Sequence, residues 1–324
     1  MRPNTALTLA VAPMMDWTDR HCRVFHRRLN PTLLLFTEMV TTGAILYGDA
    51  ERHLAFSAEE RPLILQLGGS DPAALARCAA IAAGYGYDGV NLNVGCPSDR
   101  VQGGRFGACL MREPQLVGEC LAAMAEGGLK VSLKCRIGVD DQDPEVALSA
   151  VAEAAKGVDA IWVHARKAWL KGLSPAQNRT VPPLDYGRVY RLKAERQGFV
   201  GINGGFETEA AIAAQTGRVD GVMVGRAAYR DPALLSRLSG RVGMAERAHR
   251  LAVARSMVGY ADDVMRRGGK LSHVTRHMLG LFHGEPGART WRRRLTEEAR
   301  LPGATPRLLD DCVDAITATV PRAA

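Results

Sequence analysis

Cys96 stands before Pro97 at the end of a short apolar run, Asn91-Leu92-Asn93-Val94-Gly95-Cys96-Pro97, and opens a glycine-rich polar loop reaching Gly104. A thiol with an ordinary pKa of about 8.5 is mostly protonated at neutral pH, so it can serve as an acid without activation. A thiolate nucleophile would need a neighbouring cation or base, and spacing alone leaves acid, nucleophile and inert thiol open. Lys134 and Arg136 stand two apart in another apolar run. A lysine in the middle of an apolar strand could stabilise a developing anion, or it could pair with a carboxylate such as Glu38. His164 ends a third run with Arg166 close behind, although a histidine taken alone is more often structural. Asn203-Gly204-Gly205 and Gly225-Arg226 close two more runs. Glycine N–H groups there suit a phosphate, the alternative being tight turns that need positive φ.

These residues share a position in the pattern of the chain. Strands are expected at Leu9–Met15, Leu33–Met39, Leu63–Gly68, Gly89–Gly95, Val131–Ile137, Ala160–Arg166, Phe199–Gly205 and Gly221–Arg226. Ala/Leu-rich helical stretches such as Pro72–Ala83 and Pro144–Lys156 separate them. Near-continuous apolar strands fit a parallel sheet covered on both faces. Eight alternations predict a (β/α)8 TIM barrel, an α/β fold, with an open doubly wound sheet as the structural alternative. In a barrel the reacting groups sit at the strands' C-terminal ends. Pro13-Met14-Met15-Asp16, Thr37-Glu38 and Gln66 join the set there. One such residue is usually a cap or loop anchor; a set spread over eight strands points to a site. Gly84-Tyr85-Gly86-Tyr87-Asp88-Gly89 has the GxGxxG spacing but precedes its strand. A dinucleotide fingerprint must follow one, so this match is discarded.

Beyond Asp231-Pro232 the strand signals stop and helical periodicity takes over, broken at Gly268-Gly269 and Gly284-Glu285-Pro286-Gly287. The expected organisation is a catalytic barrel over 1–241 and an all-helical C-terminal domain of about four helices over 242–324. Of a net charge of +8, the stretch 241–324 carries +6, with 15 Lys/Arg against 9 Asp/Glu. That suits a polyanionic partner or a solvated helical surface. Seven scattered cysteines without CxxC or Cys/His ligand spacing suggest neither a disulfide scaffold nor a metal site. No apolar run is long enough to cross a bilayer, and Met1-Arg2-Pro3-Asn4-Thr5 has no signal pattern, so a cytoplasmic protein is expected.

The motif set resembles the tRNA-dihydrouridine synthases. The resemblance is carried by Ala12-Pro13-Met14-Met15-Asp16-Trp17-Thr18-Asp19, Leu92-Asn93-Val94-Gly95-Cys96-Pro97, Lys134-Cys135-Arg136-Ile137-Gly138, His164-Ala165-Arg166 and Asn203-Gly204-Gly205, in order from about residue 9 to residue 295. The stretch from His164 through Trp169 and Asn178-Arg179 to Tyr186 is similar to the bacterial A-type subgroup. So are Thr275-Arg276-His277-Met278 and Gly287-Ala288-Arg289 with Trp291-Arg292-Arg293. That subgroup acts on uridines 20 and 20a of the tRNA D-loop.

The resemblance implies FMN at the barrel mouth and NADPH as reductant. Pro13, Met14 and Met15 would lie along the isoalloxazine, and Gln66, Lys134 and His164 would bond its polar edge. Asn203, Gly204, Gly205, Gly225 and Arg226 would cradle the phosphate. Cys96 becomes the proton donor and Asn93 a contact to the target nucleotide. Candidate tRNA contacts are Lys167, Lys171 and Arg179 after strand six, and Arg276, Arg292 and Arg293 in the helical part. A monomer without metal or membrane is expected. Two rival classes are an FMN barrel acting on a small free pyrimidine, resembling dihydroorotate dehydrogenases, and a colourless non-enzymatic tRNA-binding protein.

Overall fold

Eight short runs whose side chains are buried on both faces can satisfy their backbones only by pairing with one another, and in the computed structural model they do. The structure describes residues 7–98 and 103–318. The strands are β1 (Thr8–Val11), β2 (Leu35–Thr41), β3 (Leu63–Gly68), β4 (Gly89–Val94), β5 (Lys130–Arg136), β6 (Ala160–His164), β7 (Phe199–Asn203) and β8 (Gly221–Val224). They pair in parallel in the order β1-β8-β7-β6-β5-β4-β3-β2. A parallel bridge between Ala10 and Leu34 closes the ring, with Val11 N–H donating to Leu34 O at 3.1 Å and Leu34 N–H to Leu9 O at 2.9 Å. Closure excludes the open doubly wound sheet.

All eight expected strands exist, but most end sooner than expected. β1 stops at Val11, since Pro13 has no N–H for a ladder and Asp16 takes a left-handed φ of 64°. The residues beyond each strand are thereby released into mouth loops. The helices Pro72–Tyr85 and Pro144–Ala154 begin where Asp71 and Asp143 cap them, accepting from Ala73 N–H and Glu145 N–H, with proline next, where a missing N–H costs nothing. Gly86 ends the first of these in the left-handed conformation at φ 83°, which explains the discarded GxGxxG spacing as a helix stop.

Inside the barrel, Ala10, Ala12, Phe36, Ile64, Trp162 and Met223 form an apolar floor. Trp162 needs glycines opposite it: a Cβ on Gly201 would lie 2.2 Å from the indole. With the lower barrel filled, chemistry is confined to the upper end.

The chain divides into two compact units, Met1–Asp16 with Leu34–Gly225, and Trp17–Leu33 with Arg226–Ala324. This differs from the expected boundary at 241/242. The second unit contains the helix Arg20–Leu29, which is the first helix by chain order. Its Val24, Phe25 and Leu29 are buried in one cluster with Met257, Phe282, Trp291 and Leu309. Burial of that apolar stripe, not chain order, decides its membership. Among the described residues, the α-helices beyond residue 242 are Arg247–Arg266, Leu271–Thr275, Ala288–Glu297 and Arg307–Thr317. No helix among the described residues is long and apolar enough to cross a membrane.

Candidate active site

Side chains alternate along a strand, so Ser132, Lys134 and Arg136 share one face of β5, as do Asn91 and Asn93 on β4 and Trp162 and His164 on β6. Trp162 belongs to the barrel floor, which fixes that face as the inner one. Register then places Asn93 beside Lys134, Arg136 beside His164, and His164 beside Asn203. Four adjacent strands thus deliver a thiol loop, two cations, an imidazole and the Asn203 amide to one rim.

Asn93 organises the thiol loop. Its Oδ1 accepts from Gly95 N–H at 3.1 Å and Cys96 N–H at 3.0 Å, while its Nδ2 donates to Gln66 Oε1 at 2.8 Å. Cys96 O accepts from Ala108 N–H at 2.9 Å, and Cys96 Sγ lies 3.5 Å from Ser98 Oγ. Asp99, Arg100, Val101 and Gln102 of the same loop lie outside the described residues. The Cys96 thiol is half-buried, whereas Cys22, Cys78, Cys120, Cys135 and Cys312 are buried. Burial holds those of Cys78, Cys120 and Cys312 protonated, at about 11, and pushes that of Cys135 to about 12.

Gln66 is only 1% exposed and sits in a chain of side chains beneath the mouth. It donates to Asn91 Oδ1 at 2.8 Å, Asn91 donates to Ser132 Oγ at 2.9 Å, and Ser132 to Val90 O at 3.2 Å. Gln66 and Asn93, read from the resemblance as ligand and nucleotide contacts, therefore use most of their amide capacity inside the barrel wall. Their evident work is to hold the loop that carries Cys96.

Lys134 Nζ lies 3.3 Å from Asn203 Oδ1, and Asn203 Nδ2 donates to Met223 O at 2.7 Å. The alternative partner, Glu38, accepts instead from Asp16 N–H and so pins the turn bearing Met14 and Met15. Met15 is 56% exposed. Burial pulls the Lys134 ammonium down to about 8, helped by the charge of Arg136 and opposed by a thiolate at Cys96. His164 is held well below the usual imidazole range, first by burial and then by Arg136 and Lys134, so it is neutral at pH 7. Its Nδ1 is buried without a hydrogen-bond partner among the described residues. A polar atom left so is costly unless a ligand completes it.

Arg136 is marked by spacing as a strand-end polar residue but receives no site role from it. In the structure it is 4% exposed and braces two mouth loops at three carbonyls. Nε donates to Gly95 O, and Nη1 to Lys167 O and Asn178 O, each at 2.9 Å. Burial lowers its pKa to about 10, against which a thiolate at Cys96 pulls upward. The guanidinium therefore stays charged at neutral pH.

Gly204 and Gly205 both adopt positive φ, at 113° and 76°, as the turn reading requires. Gly225 does not, and a Cβ there would meet nothing nearer than 3.8 Å, Ala12 Cβ and Met14 Sδ. Neither backbone conformation nor packing demands glycine at that position, which leaves open backbone beside Met14. Lys171 and Arg179 are exposed, Lys167 is half-buried, and Pro13 is half-buried on the first unit's rim. In the second unit, Arg226 opens the helix Arg226–Arg230 and Arg292 and Arg293 are exposed. Arg293 lies 3.9 Å from Glu297. Arg276 is paired with Asp19, which also bonds His277 at 2.9 Å. Burial alone would raise the Asp19 carboxyl, but His277, the Cys22 N–H and Arg276 hold it well below the usual carboxylate range. A phosphate at Arg276 would have to compete with that carboxylate.

A closed (β/α)8 barrel with an acid-capable thiol, two cations and a neutral imidazole on one arc of its mouth has the layout of a barrel enzyme. Comparison with known proteins places that enzyme more closely. The dihydrouridine synthase family model matches residues 10–317. The tRNA-dihydrouridine(20/20a) synthase of Xanthomonas campestris pv. campestris is 54% identical over 304 residues, 92% of this chain and 90% of the relative. That of Escherichia coli strain K12 is 51% identical over 308 residues, covering 93% and 89%. The chain belongs to the dihydrouridine synthase family. Among solved structures, a morphinone reductase mutant superposes with a TM-score of 0.52 at 13% identity, covering 71% of this chain and 86% of that one. An old yellow enzyme homologue from Zymomonas mobilis gives 0.51 at 12%, covering 72% and 87%, so the barrel fold is shared with both.

Proposed function

We propose that this chain reduces the C5=C6 bond of uridine to give 5,6-dihydrouridine in the tRNA D-loop, at positions 20 and 20a, with FMN as cofactor and NADPH as reductant. What carries the reading is the meeting of Cys96, Lys134, Arg136 and His164 at one barrel mouth in a member of this family. The residues present fit FMN. Among the described residues, His164 Nδ1 has no hydrogen-bond partner and Lys134 bonds the amide oxygen of Asn203, not a carboxylate, and the backbone at Gly225 is open. When bound, FMN supplies hydride to uracil C6, its electrons coming from NADPH.

The protein's part is then electrostatic and acidic. Lys134 and His164 hold an electron-rich ligand edge, Pro13, Met14 and Met15 provide an apolar wall, and Gly204, Gly205 and Gly225 receive a phosphate. Charge developing at C5 and O4 of uracil needs an acid, and Cys96 gives its proton to C5. The resulting thiolate lies in the field of Lys134 and Arg136. Asn93 keeps the thiol loop in place while the uridine enters unstacked, at a cost of a few kcal/mol that a non-helical loop base reduces. Lys167, Lys171 and Arg179, with Arg292 and Arg293, would contact phosphates, giving an affinity that falls steeply with salt. A tRNA substrate puts this work in the cytoplasm.

Dihydrouridine mapping of tRNA from a strain lacking the gene should show loss at positions 20 and 20a, restored with the gene. Unchanged dihydrouridine would overturn the reading. Turnover of free uridine or dihydroorotate without tRNA would favour the small-pyrimidine rival.

A second consequence concerns pH. The Lys134 ammonium titrates at about 8 in the folded chain against an ordinary 10.5, so folding disfavours its charged form. The stability cost is full below pH 8 and fades between about 8 and 10.5. Lys134→Met in the FMN-free chain should therefore raise the thermal midpoint at pH 7, with the gain shrinking as pH climbs through that window. A gain that does not change with pH would show that the charge is not the cause.

A further inference from the structure

Trp169 is 42% exposed, on the loop that follows β6, while Trp162 and Trp291 are each 1% exposed. An indole left in water on a mobile loop would mean little. This one stands on a backbone fixed from several sides. Asn178, fully buried, accepts from Trp169 N–H at 2.7 Å and donates to Trp169 O at 2.8 Å. On either side, Ala168 N–H donates to Gly138 O at 2.9 Å and Leu170 N–H to Asp140 Oδ1 at 2.8 Å. A buried amide thus positions an exposed ring. Lys167 Nζ lies 5.8 Å from the centre of that ring. Arg136, which donates to Gly95 O next to Cys96, also donates to Lys167 O. One guanidinium therefore ties the platform's backbone to the thiol loop.

We propose that Trp169, with Lys167 beside it, is a stacking platform for an unpaired base of the RNA, next to the nucleotide that reacts. The inference rests on the tRNA substrate argued above and adds a base contact to it. A flat, preformed aromatic face accepts any unpaired base, and an adjacent ammonium suits the phosphate that accompanies it. Because the target uridine must leave its stack, the base beside it loses a stacking partner, and the indole replaces that partner. The nicotinamide ring of NADPH is the other planar group that could use such a face, and the test separates the two.

Trp169→Ala, Trp169→Phe and Lys167→Ala are compared with the wild-type chain using an unmodified tRNA transcript and NADPH. Trp169→Ala should weaken transcript binding roughly five- to 150-fold, the span of one lost base–aromatic stack, and leave the salt slope unchanged. Lys167→Ala should reduce that slope by about one phosphate contact. Trp169→Phe should recover binding to within roughly threefold, since a smaller ring still stacks. The transcript should quench the indole fluorescence of the wild-type chain more than that of Trp169→Phe. Wild-type transcript affinity in Trp169→Ala would overturn the platform, as would a raised KM for NADPH in place of weaker tRNA binding. If the wild-type chain binds transcript through Trp169 yet forms no dihydrouridine, the enzymatic reading fails and the platform stands. If Trp169→Ala binds and modifies tRNA normally, only the platform fails.

Discussion

Cys96→Ala should form dihydrouridine at least tens of times more slowly than the wild-type chain, at the low side of the ~10²–10⁴ that general acid catalysis contributes. It should still fold and still bind a yellow flavin that NADPH reduces. The split follows from the position of the side chain. Cys96 is half-buried and its sulfur has Ser98 Oγ, 3.5 Å away, as its hydrogen-bond partner, so truncation opens no core cavity. What it removes is the proton that must reach C5. Uracil accepts hydride poorly while charge accumulates on C5 and O4, and no other thiol is placed to help. Cys135 follows Lys134 in the chain but faces away from the barrel interior, fully buried, with its thiol pushed to about 12. Cys109 is the other half-buried cysteine, and burial raises its thiol too. Cys109→Ala is therefore the matched control and should form dihydrouridine at the wild-type rate. Single-turnover mixing of reduced enzyme with unmodified tRNA isolates the step. Full activity in Cys96→Ala would remove the thiol from the mechanism.

The parts legible in the sequence are those that depend on residue type along a single strand. Runs such as Leu63–Gly68 are apolar on both faces, and that alone signals a strand covered on both sides. Cys96, Lys134 and His164 stand out because a polar group closing an apolar strand needs a reason. Other features depend on who meets whom across the barrel. The resemblance implies a ligand contact for Gln66 and a nucleotide contact for Asn93, yet their amides join through Asn91 to Ser132 on a neighbouring strand. Asn178 lies in a loop with no periodicity and becomes meaningful only through its bonds to Trp169. The helix Arg20–Leu29 follows β1 as a barrel helix should, but its apolar stripe joins the core of the second unit, a choice invisible to local pattern.

Arg136 is the strongest case of a role fixed by long-range partners, and its loss should have the second large effect. Its guanidinium satisfies the carbonyls of Gly95 in the thiol loop and of Lys167 and Asn178 at two points of the loop after β6. Each buried acceptor left unpaired costs about 1–3 kcal/mol, so an apolar replacement such as Arg136→Met should cost several kcal/mol and could fail to fold. Arg136→Lys is the informative variant. An ammonium keeps the positive charge near Cys96 but is a single point of donation, and it cannot bridge Gly95 O and the Lys167–Asn178 pair with a planar fork. The loop bearing Cys96 would then lose its fixed distance from the Lys134 side of the mouth. Arg136→Lys should lower the thermal midpoint and slow dihydrouridine formation at least tenfold, while NADPH still reduces the flavin at close to the wild-type rate. Alkylation of Cys96 by iodoacetamide, read by mass spectrometry, gives a readout independent of turnover. A released loop should expose the thiol and raise its alkylation rate relative to Cys109. Arg136 would be an ordinary structural brace if flavin reduction and dihydrouridine formation fell together in proportion to lost stability. It positions the acid if the two rates separate and the thiol becomes more accessible, because only the step that needs Cys96 depends on where that loop is held.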